Sequence, residues 1–415
     1  MDKKIFDVAI VGGGASGLCA AAYISKYGKG VSFVVIEKEN RVGKRILSTG
    51  NGRCNMTNEH LSADNYRTDD CLLINKLLER YGTKKLEDEF YSFGLLTKAD
   101  SAGRVYPYSE QASAVLDVLR KYSSGNELVE KKAMSVKKNG SAFAVECSDG
   151  SVINAKRIIL ACGGCVSTKL GADGSGYKIV SKLGHTVTKC LPSLAPVFVN
   201  SPYLTSLKGI RAHCRVSLYK GNKLIKSEDG ELQFADNALS GICVFQLSPY
   251  VNEMLSKGDK DITISVDLMP EYTKEQIKNI LKSKISLCEN STLDELFTGV
   301  LNKRIGQALL KSSNTLPFSR EIGTLSESEI SKIAKTVKSF CFIPSKISDK
   351  EKAQVTHGGV TCGEIDPNTM ESRLQKGVYI VGELLNTDGD CGGYNLHFAF
   401  SSGFLAAKSC LISLK

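Results

Sequence analysis

At 415 residues, with 42% hydrophobic and 24% charged residues and a formal net charge of +10, the chain has the make-up of a folded protein of two or three domains with a full core. No apolar run reaches the roughly 18 residues that a membrane span needs, and the N-terminus enters an apolar strand with no signal peptide before it, so a cytoplasmic location is expected. The positive charge is spread in pairs such as Lys84-Lys85 and Lys131-Lys132 without interleaved aromatics, which reads as a solvated face rather than a nucleic-acid surface, and the 14 cysteines read as reduced, small apolar fillers.

The first predicted element is a parallel strand, Phe6 to Val11, whose unbroken apolar run Val8 to Val11 suits burial on both faces. It runs into Gly12-Gly13-Gly14-Ala15-Ser16-Gly17. Gly12 permits a tight turn, Gly14 lets backbone amides approach a pyrophosphate, and Gly17 lets the following helix pack closely on the sheet. That helix, from about Gly14 to Tyr27, aims its N-terminal amides, those of Ala15 and Ser16 among them, at the phosphates. A second strand, Val31 to Ile36, ends in Glu37, 20 residues after Gly17, where a carboxylate accepts hydrogen bonds from ribose hydroxyls and repels a 2'-phosphate, with Lys38 beside it. The pattern predicts an adenine dinucleotide, not NADP, in this site.

Next comes a run from Arg41 to Asn58, rich in Gly, Asn and Arg. It includes Lys44, Arg45, Asn51, Gly52, Arg53, Cys54 and Asn55 and predicts an ordered loop offering amides and guanidinium groups to an anion or heterocycle. A hairpin around Lys138 to Gly140 and Ser148 to Gly150 precedes a returning strand, Ile153 to Leu160, which ends near Gly163-Gly164. Asp173 to Tyr177 then opens a helix that stops at Gly184. From Cys190 to Gln354 the grain changes. Alternating segments, with Cys214 to Tyr219 and Leu224-Ile225 about a Gly221-Asn222 turn, predict antiparallel hairpins, and Lys274 to Leu287, Thr292 to Lys311 and Ser326 to Phe340 predict helices.

The cofactor pattern then resumes. Gly377 to Glu383 is a strand ending in Gly382-Glu383. It leads through Asp388 and Gly392-Gly393-Tyr394-Asn395 into an amphipathic segment, Leu396 to Leu411. A second helix N-terminus at the same sheet edge suits the negative charge of a reduced isoalloxazine ring.

Taken together, these blocks resemble the BaiN/RdsA (YhiN-like) family of NAD(P)/FAD-dependent oxidoreductases over essentially the whole chain. The resemblance is carried by Gly12 to Gly17 with Glu37, Gly43 to Arg45, Gly50 to Asn55, Gly103 to Pro107, Cys162 to Gly164, Gly174 to Tyr177, Leu183 to His185, Leu239 to Gly241, Thr356 to Val360, Met370 to Ser372 and Gly382 to Asn395. It implies an α/β fold: a discontinuous, Rossmann-like FAD-binding domain, 1–189 with 355–415, holding a parallel sheet with helices and a β-meander. An inserted β-rich, barrel-like domain at 190–270 and a helical cap at 271–354 interrupt it and cover the substrate side. FAD is then the resident cofactor, and NADH or NADPH a visiting reductant that binds elsewhere.

By the same resemblance the chemistry is flavin redox, tied in family members to conjugated double bonds of steroid-like bile acid intermediates and to amine oxidation. The expected reaction passes hydride through FAD to a small-molecule, enone-type substrate. Tyr394, Arg104 and His357 are the candidate proton donors. An amine oxidase, a tRNA-modifying flavoprotein and a flavin redox sensor are the alternatives. The chain departs from the family in having Cys162 for the usual Thr, Cys165 where no Cys is fixed, and His357 where a smaller residue is common. Cys162 and Cys165 have the spacing of a redox dithiol, although packing beside a tight turn is the favoured reading. No second pair at ligand spacing accompanies them, so no metal site is expected.

Overall fold

The unbroken apolar run Val8 to Val11 places the end of strand β1 (Ile5–Val11) inside a sheet, with Val8, Ala9 and Ile10 fully buried. The computed structural model describes residues 4–415. In it β1 lies between β2 (Phe33–Ile36) and strand Val152–Leu160, parallel to both. Val378–Ile380 joins the far side of Val152–Leu160, also parallel, while Ala142–Cys147 and Ala133–Asn139 add antiparallel strands to its first half. Register decides where the chemistry falls. Val11 stands opposite both Ile36 and Leu160, and Leu160 opposite Ile380, so Gly12, Glu37, Ala161 and Val381 leave the sheet at one edge. In an open parallel sheet that carboxyl edge is where ligands bind.

Helix α1 (Ala15–Tyr27) returns over this sheet, and the 20-residue C-terminal helix Tyr394–Ser413 packs on it. The sequence suggests that this last helix is amphipathic. It is instead buried on most sides, because Phe404 meets Tyr23 of α1 as well as Tyr81, Phe90 and Phe93 from the helical segment that precedes residue 94. Contact is closest at glycines. A Cβ on Gly403 would fall 2.3 Å from the Ser16 carbonyl oxygen, and one on Gly17 would fall 1.9 Å from that of Gly12.

Residues Pro192–Asp349 form a second compact unit with its own apolar core. Six strands close a barrel in the order Val197–Asn200, Ala238–Ser240, Lys223–Ala235, Arg211–Lys220, Ile262–Asp267 and Phe340–Lys346. Its last strand comes after the helices Lys274–Leu287, Lys303–Ser312 and Glu327–Lys338, so segments that look separate in sequence share one unit. The single helix expected over Thr292 to Lys311 is broken. Gly299 takes a left-handed φ of 83°, and the Asn302 side chain accepts from the Arg304 amide, capping a new helix.

One buried polar residue ties the first unit together and makes it acid-sensitive. His397 is fully buried, with Nδ1 2.8 Å from Thr57 Oγ1 and Nε2 donating to the Tyr81 carbonyl at 2.8 Å. Burial pushes its pKa down to about 4, with the Tyr81 bond opposing. The unfolded chain therefore binds the proton first. This contribution is complete above the unfolded value of 6.5 and is lost as pH falls toward 4. At about 1.4 kcal/mol per unit the loss is about 2 kcal/mol between pH 7 and pH 5. Urea midpoints at the two pH values should show it, and His397→Gln should flatten the difference.

Candidate functional site

The residues at the sheet edge are held by their own backbone. Gly12 turns with φ 108°, and a Cβ there would meet the Ala161 carbonyl oxygen at 2.3 Å. The Gly13 amide donates to Glu37 Oε2 at 2.7 Å and the Glu39 amide to Oε1 at 2.9 Å, which fixes the carboxylate beside the turn. Burial raises the Glu37 pKa, and those two amides oppose the rise. A Cβ on Gly14 would meet nothing within 4 Å, so the helix N-terminus opens on free space. The first amides of α1, those of Ala15, Ser16 and Gly17, have no acceptor within the helix and face an anion-binding position.

Gly382, with φ 65°, brings the returning strand against Ser16, while Ser402 Oγ accepts from its amide at 3.0 Å. Glu383 is anchored by the Thr356 amide at 2.7 Å and by Arg45, whose Nη2 also donates to the Gln354 carbonyl at 2.7 Å. Gly163 turns left-handed with φ 71° in the loop between Leu160 and this cluster. The structure thus gathers Gly12, Gly14, Ala15, Ser16, Gly17, Glu37, Arg45, Gly163, Gly382 and Glu383.

A second group forms around Asn55. Gly392 and Gly393 both have positive φ, Asn58 Nδ2 donates to the Gly392 carbonyl at 2.9 Å, and a Cβ on Gly393 would sit 2.7 Å from Asn55 Oδ1. That Asn55 oxygen is buried without a hydrogen-bond partner among the described residues. An orphan acceptor in a Gly-lined cradle awaits a donor. Tyr394 opens the C-terminal helix with its phenol pKa raised by burial. Asn395 clamps the preceding turn, accepting from the Gly389 amide at 2.8 Å and donating to the Gly389 carbonyl at 2.7 Å.

Other side chains expected at the cofactor are engaged elsewhere. Lys38 pairs with Asp173 and Lys44 with Glu39, each at 2.8 Å. Asn51 and Gly52 lie exposed, and the Arg53 guanidinium stacks 4.7 Å over the Tyr106 ring. Cys54 is buried, its thiol pushed up to about 12. Among the proton-donor candidates, Arg104 is held by Asp100 through Nε and Nη2, both at 2.8 Å, which keeps it charged. His357 is placed differently. Its Nδ1 lies 2.7 Å from Asp388 Oδ1, and Arg67 Nε donates to Asp388 Oδ2 at 3.0 Å.

Asp388 was expected to touch the cofactor; its carboxylate, fully buried, instead bridges Arg67 and His357. Arg67 Nη1 also donates to Asp390 at 2.6 Å. Burial works against the Arg67 charge, but the two carboxylates outweigh it and hold the guanidinium above its usual pKa. Sequence reading misses Arg67 and Ser402. The one signal for Arg67 is the pair Asp388 and Asp390, two residues apart at a strand end, which calls for a shared cation.

The described residues include no group of His, Cys, Asp and Glu able to hold a metal, and no helix long and apolar enough to cross a membrane. The family model for the HI0933-like protein Rossmann domain matches residues 6–409. The chain belongs to this family. It is 33% identical over 408 residues to a 3-dehydro-bile acid delta(4,6)-reductase of Clostridium scindens, covering 97% of this chain and 98% of that one. It is 26% identical over 414 residues to a ribosomal RNA dihydrouridine synthase of Escherichia coli, with 98% of each chain covered. The structure of a 3-ketosteroid delta1-dehydrogenase from Sterolibacterium denitrificans shares the fold, with a TM-score of 0.53 at 14% identity, covering 99% of this chain and all of that one.

The protein is an FAD-dependent oxidoreductase of this family. Its residues fit the cofactor: open space at Gly14 before the first α1 amides, a carboxylate fixed at Glu37, and the orphan acceptor of Asn55 in the Gly392-Gly393 cradle.

Proposed function

We propose that this protein reduces a conjugated double bond of an enone-type, steroid-like small molecule, with NADH or NADPH supplying the electrons through FAD. The end-to-end 33% identity to a bile acid reductase carries this reading. When bound, FAD supplies hydride transfer.

The remaining work falls to the chain. The amides of Ala15 and Ser16 and the α1 dipole bind the pyrophosphate, and Glu37 takes the adenosine ribose. Asn55, Gly392 and Gly393, with the N-terminus of the last helix, line the ring end. His357 supplies the proton at Nε2, because its Nδ1 faces the Asp388 carboxylate, which orients the ring. Arg67 holds Asp388 in place. Tyr394, buried and with a raised pKa, contributes shape at the helix start rather than the proton.

Anaerobic titration of the purified protein is the test. NADH or NADPH should bleach the flavin, and a 3-oxo-Δ4 steroid should restore the oxidised spectrum. Bleaching by neither nicotinamide overturns the reading. Bleaching by an amine, with rapid recovery in oxygen, assigns an oxidase instead; recovery on unmodified ribosomal RNA alone assigns a nucleic-acid substrate.

A further inference from the structure

Arginines around the cofactor site spend their N–H groups on the protein itself: Arg45 on Glu383 and the Gln354 carbonyl, Arg67 on Asp388 and Asp390, Arg104 on Asp100. Arg53 does not. Its guanidinium lies 4.7 Å over the Tyr106 ring, and its nearest carboxylate oxygen, Glu110 Oε2, is 3.9 Å away, beyond hydrogen-bond distance. Its side chain makes no hydrogen bond among the described residues. Stacking fixes the plane of a guanidinium and leaves its edge, the fork that grips a carboxylate at two points, open to a ligand.

The surroundings add a second cation. Strand Thr97–Ala99 pairs antiparallel with Arg104–Pro107, and Lys98 stands directly opposite Tyr106. Opposite side chains of such a pair share a face, so Lys98 rises beside the ring that Arg53 covers. Lys98 Nζ lies 2.6 Å from Glu110 Oε1 and 5.3 Å over the exposed Tyr108 ring. Glu110 is thus shared by both cations, and the cluster keeps a net positive charge. The side chains of Glu110, Arg53 and Lys98 are 45%, 44% and 41% exposed, so a ligand can reach all of them.

The chain sets this cluster at the ring end of the cofactor site. Gly50, left-handed with φ 56°, folds the loop so that a Cβ on it would lie 2.9 Å from the Asn55 amide nitrogen and 3.7 Å from Tyr106 Cε1. The Met56 amide donates to the Val105 carbonyl at 2.7 Å, which ties the residue after Asn55 to the residue before Tyr106. Asn55 carries the orphan oxygen of the Gly392-Gly393 cradle. The Tyr106 ring, with Arg53 upon it, therefore borders that cradle.

We propose that Arg53, seconded by Lys98, anchors a carboxylate carried by the substrate while the double bond to be reduced lies at the cradle of Asn55, Gly392 and Gly393. The inference rests on the function proposed above and narrows its substrate class from an enone-type steroid to one bearing an acid group. Glu110 fills the seat when no substrate is bound. Its leg to Arg53, at 3.9 Å, is the weaker one, and an incoming carboxylate exchanges it for two charge-assisted hydrogen bonds at the fork while Glu110 keeps Lys98. Exposed ion pairs contribute little, so the exchange favours the ligand.

The test is calorimetric, on the oxidised, flavin-loaded protein. The probes are lithocholate, a saturated steroid acid with no double bond to reduce, and its neutral primary amide. The acid should bind about tenfold or more tightly than the amide. Arg53→Met should erase that preference with amide affinity and flavin content unchanged, and Arg53→Lys should restore only part of it, because an ammonium has charge but no fork. Glu110→Gln, which removes the competing carboxylate, should tighten the acid. Equal affinities in the native protein, a parallel loss of acid and amide in Arg53→Met, or a weaker acid in Glu110→Gln overturns the proposal. The phosphates of the reductant are the other source of an anion. Half-saturating NADH and NADPH in anaerobic flavin reduction should stay unchanged in Arg53→Met; a rise of about tenfold with lithocholate affinity intact assigns the fork to the dinucleotide and overturns the proposal. Binding is read here without turnover, so failure of the anion site is distinguishable from failure of enone reduction.

Discussion

Gly14→Val is expected to leave the fold standing and to empty it of flavin. A Cβ at Gly14 points into open space, and its backbone, φ −81° and ψ −164°, suits any residue, so the strain is small. Loss of a good N-cap conformation costs at most about 1 kcal/mol. The branched side chain would occupy the ground a pyrophosphate must enter, and flavin content after gel filtration should fall at least about tenfold while apoprotein melting shifts only a few degrees. Gly403→Ala makes the opposite split. In a helix, Ala is favoured over Gly by about 1 kcal/mol, so a loose contact would give a more stable protein. The Ser16 carbonyl oxygen 2.3 Å away instead forces the last helix off α1, and overpacking of this kind costs about 1–3 kcal/mol. The sign of the melting shift decides between the two. Flavin retained by Gly14→Val would remove the pyrophosphate from this helix.

The nucleotide half of the site was legible because its signals are local. The run Val8 to Val11, the spacing of Gly12, Gly14 and Gly17, and the 20-residue step to Glu37 each describe one element or its turn, and the register of β1 and β2 follows from them. Asn55 and Gly393 were legible as members of unusual Gly-Asn blocks, though the buried oxygen that joins them is a three-dimensional fact. Arg67 was not legible, because its partner Asp388 lies 321 residues away and nothing in its neighbourhood marks it. Gly403 fails for the same reason: its need for hydrogen at Cα comes from Ser16. The partners of Lys38 and Lys44 were not legible either: charged side chains beside the fingerprint are long enough to reach Asp173 and Glu39. The Cys162 and Cys165 spacing reads chiefly as packing beside a tight turn, and Cys162, donating to the Val11 carbonyl next to the left-handed Gly163, is engaged there.

Asp388→Asn is expected to separate structure from proton delivery. The amide keeps the shape of the carboxylate and one acceptor for Arg67, which also retains Asp390, so folding should lose about 1–3 kcal/mol. Asp388→Ala, which leaves no acceptor there, should lose about 3–5 kcal/mol, the cost of breaking a buried pair from one side. The effect on turnover has a different cause. The carboxylate 2.7 Å from His357 Nδ1 fixes the ring's orientation, and an amide there weakens that hold. In Asp388→Asn kcat should fall about 10²-fold with flavin content unchanged. His357→Gln should give a similar kcat. Adding Asp388→Asn to His357→Gln should then cost nothing further in kcat, because one residue acts through the other. Full additivity in the double variant would make the Arg67-Asp388-His357 chain a purely structural brace and move the proton source elsewhere.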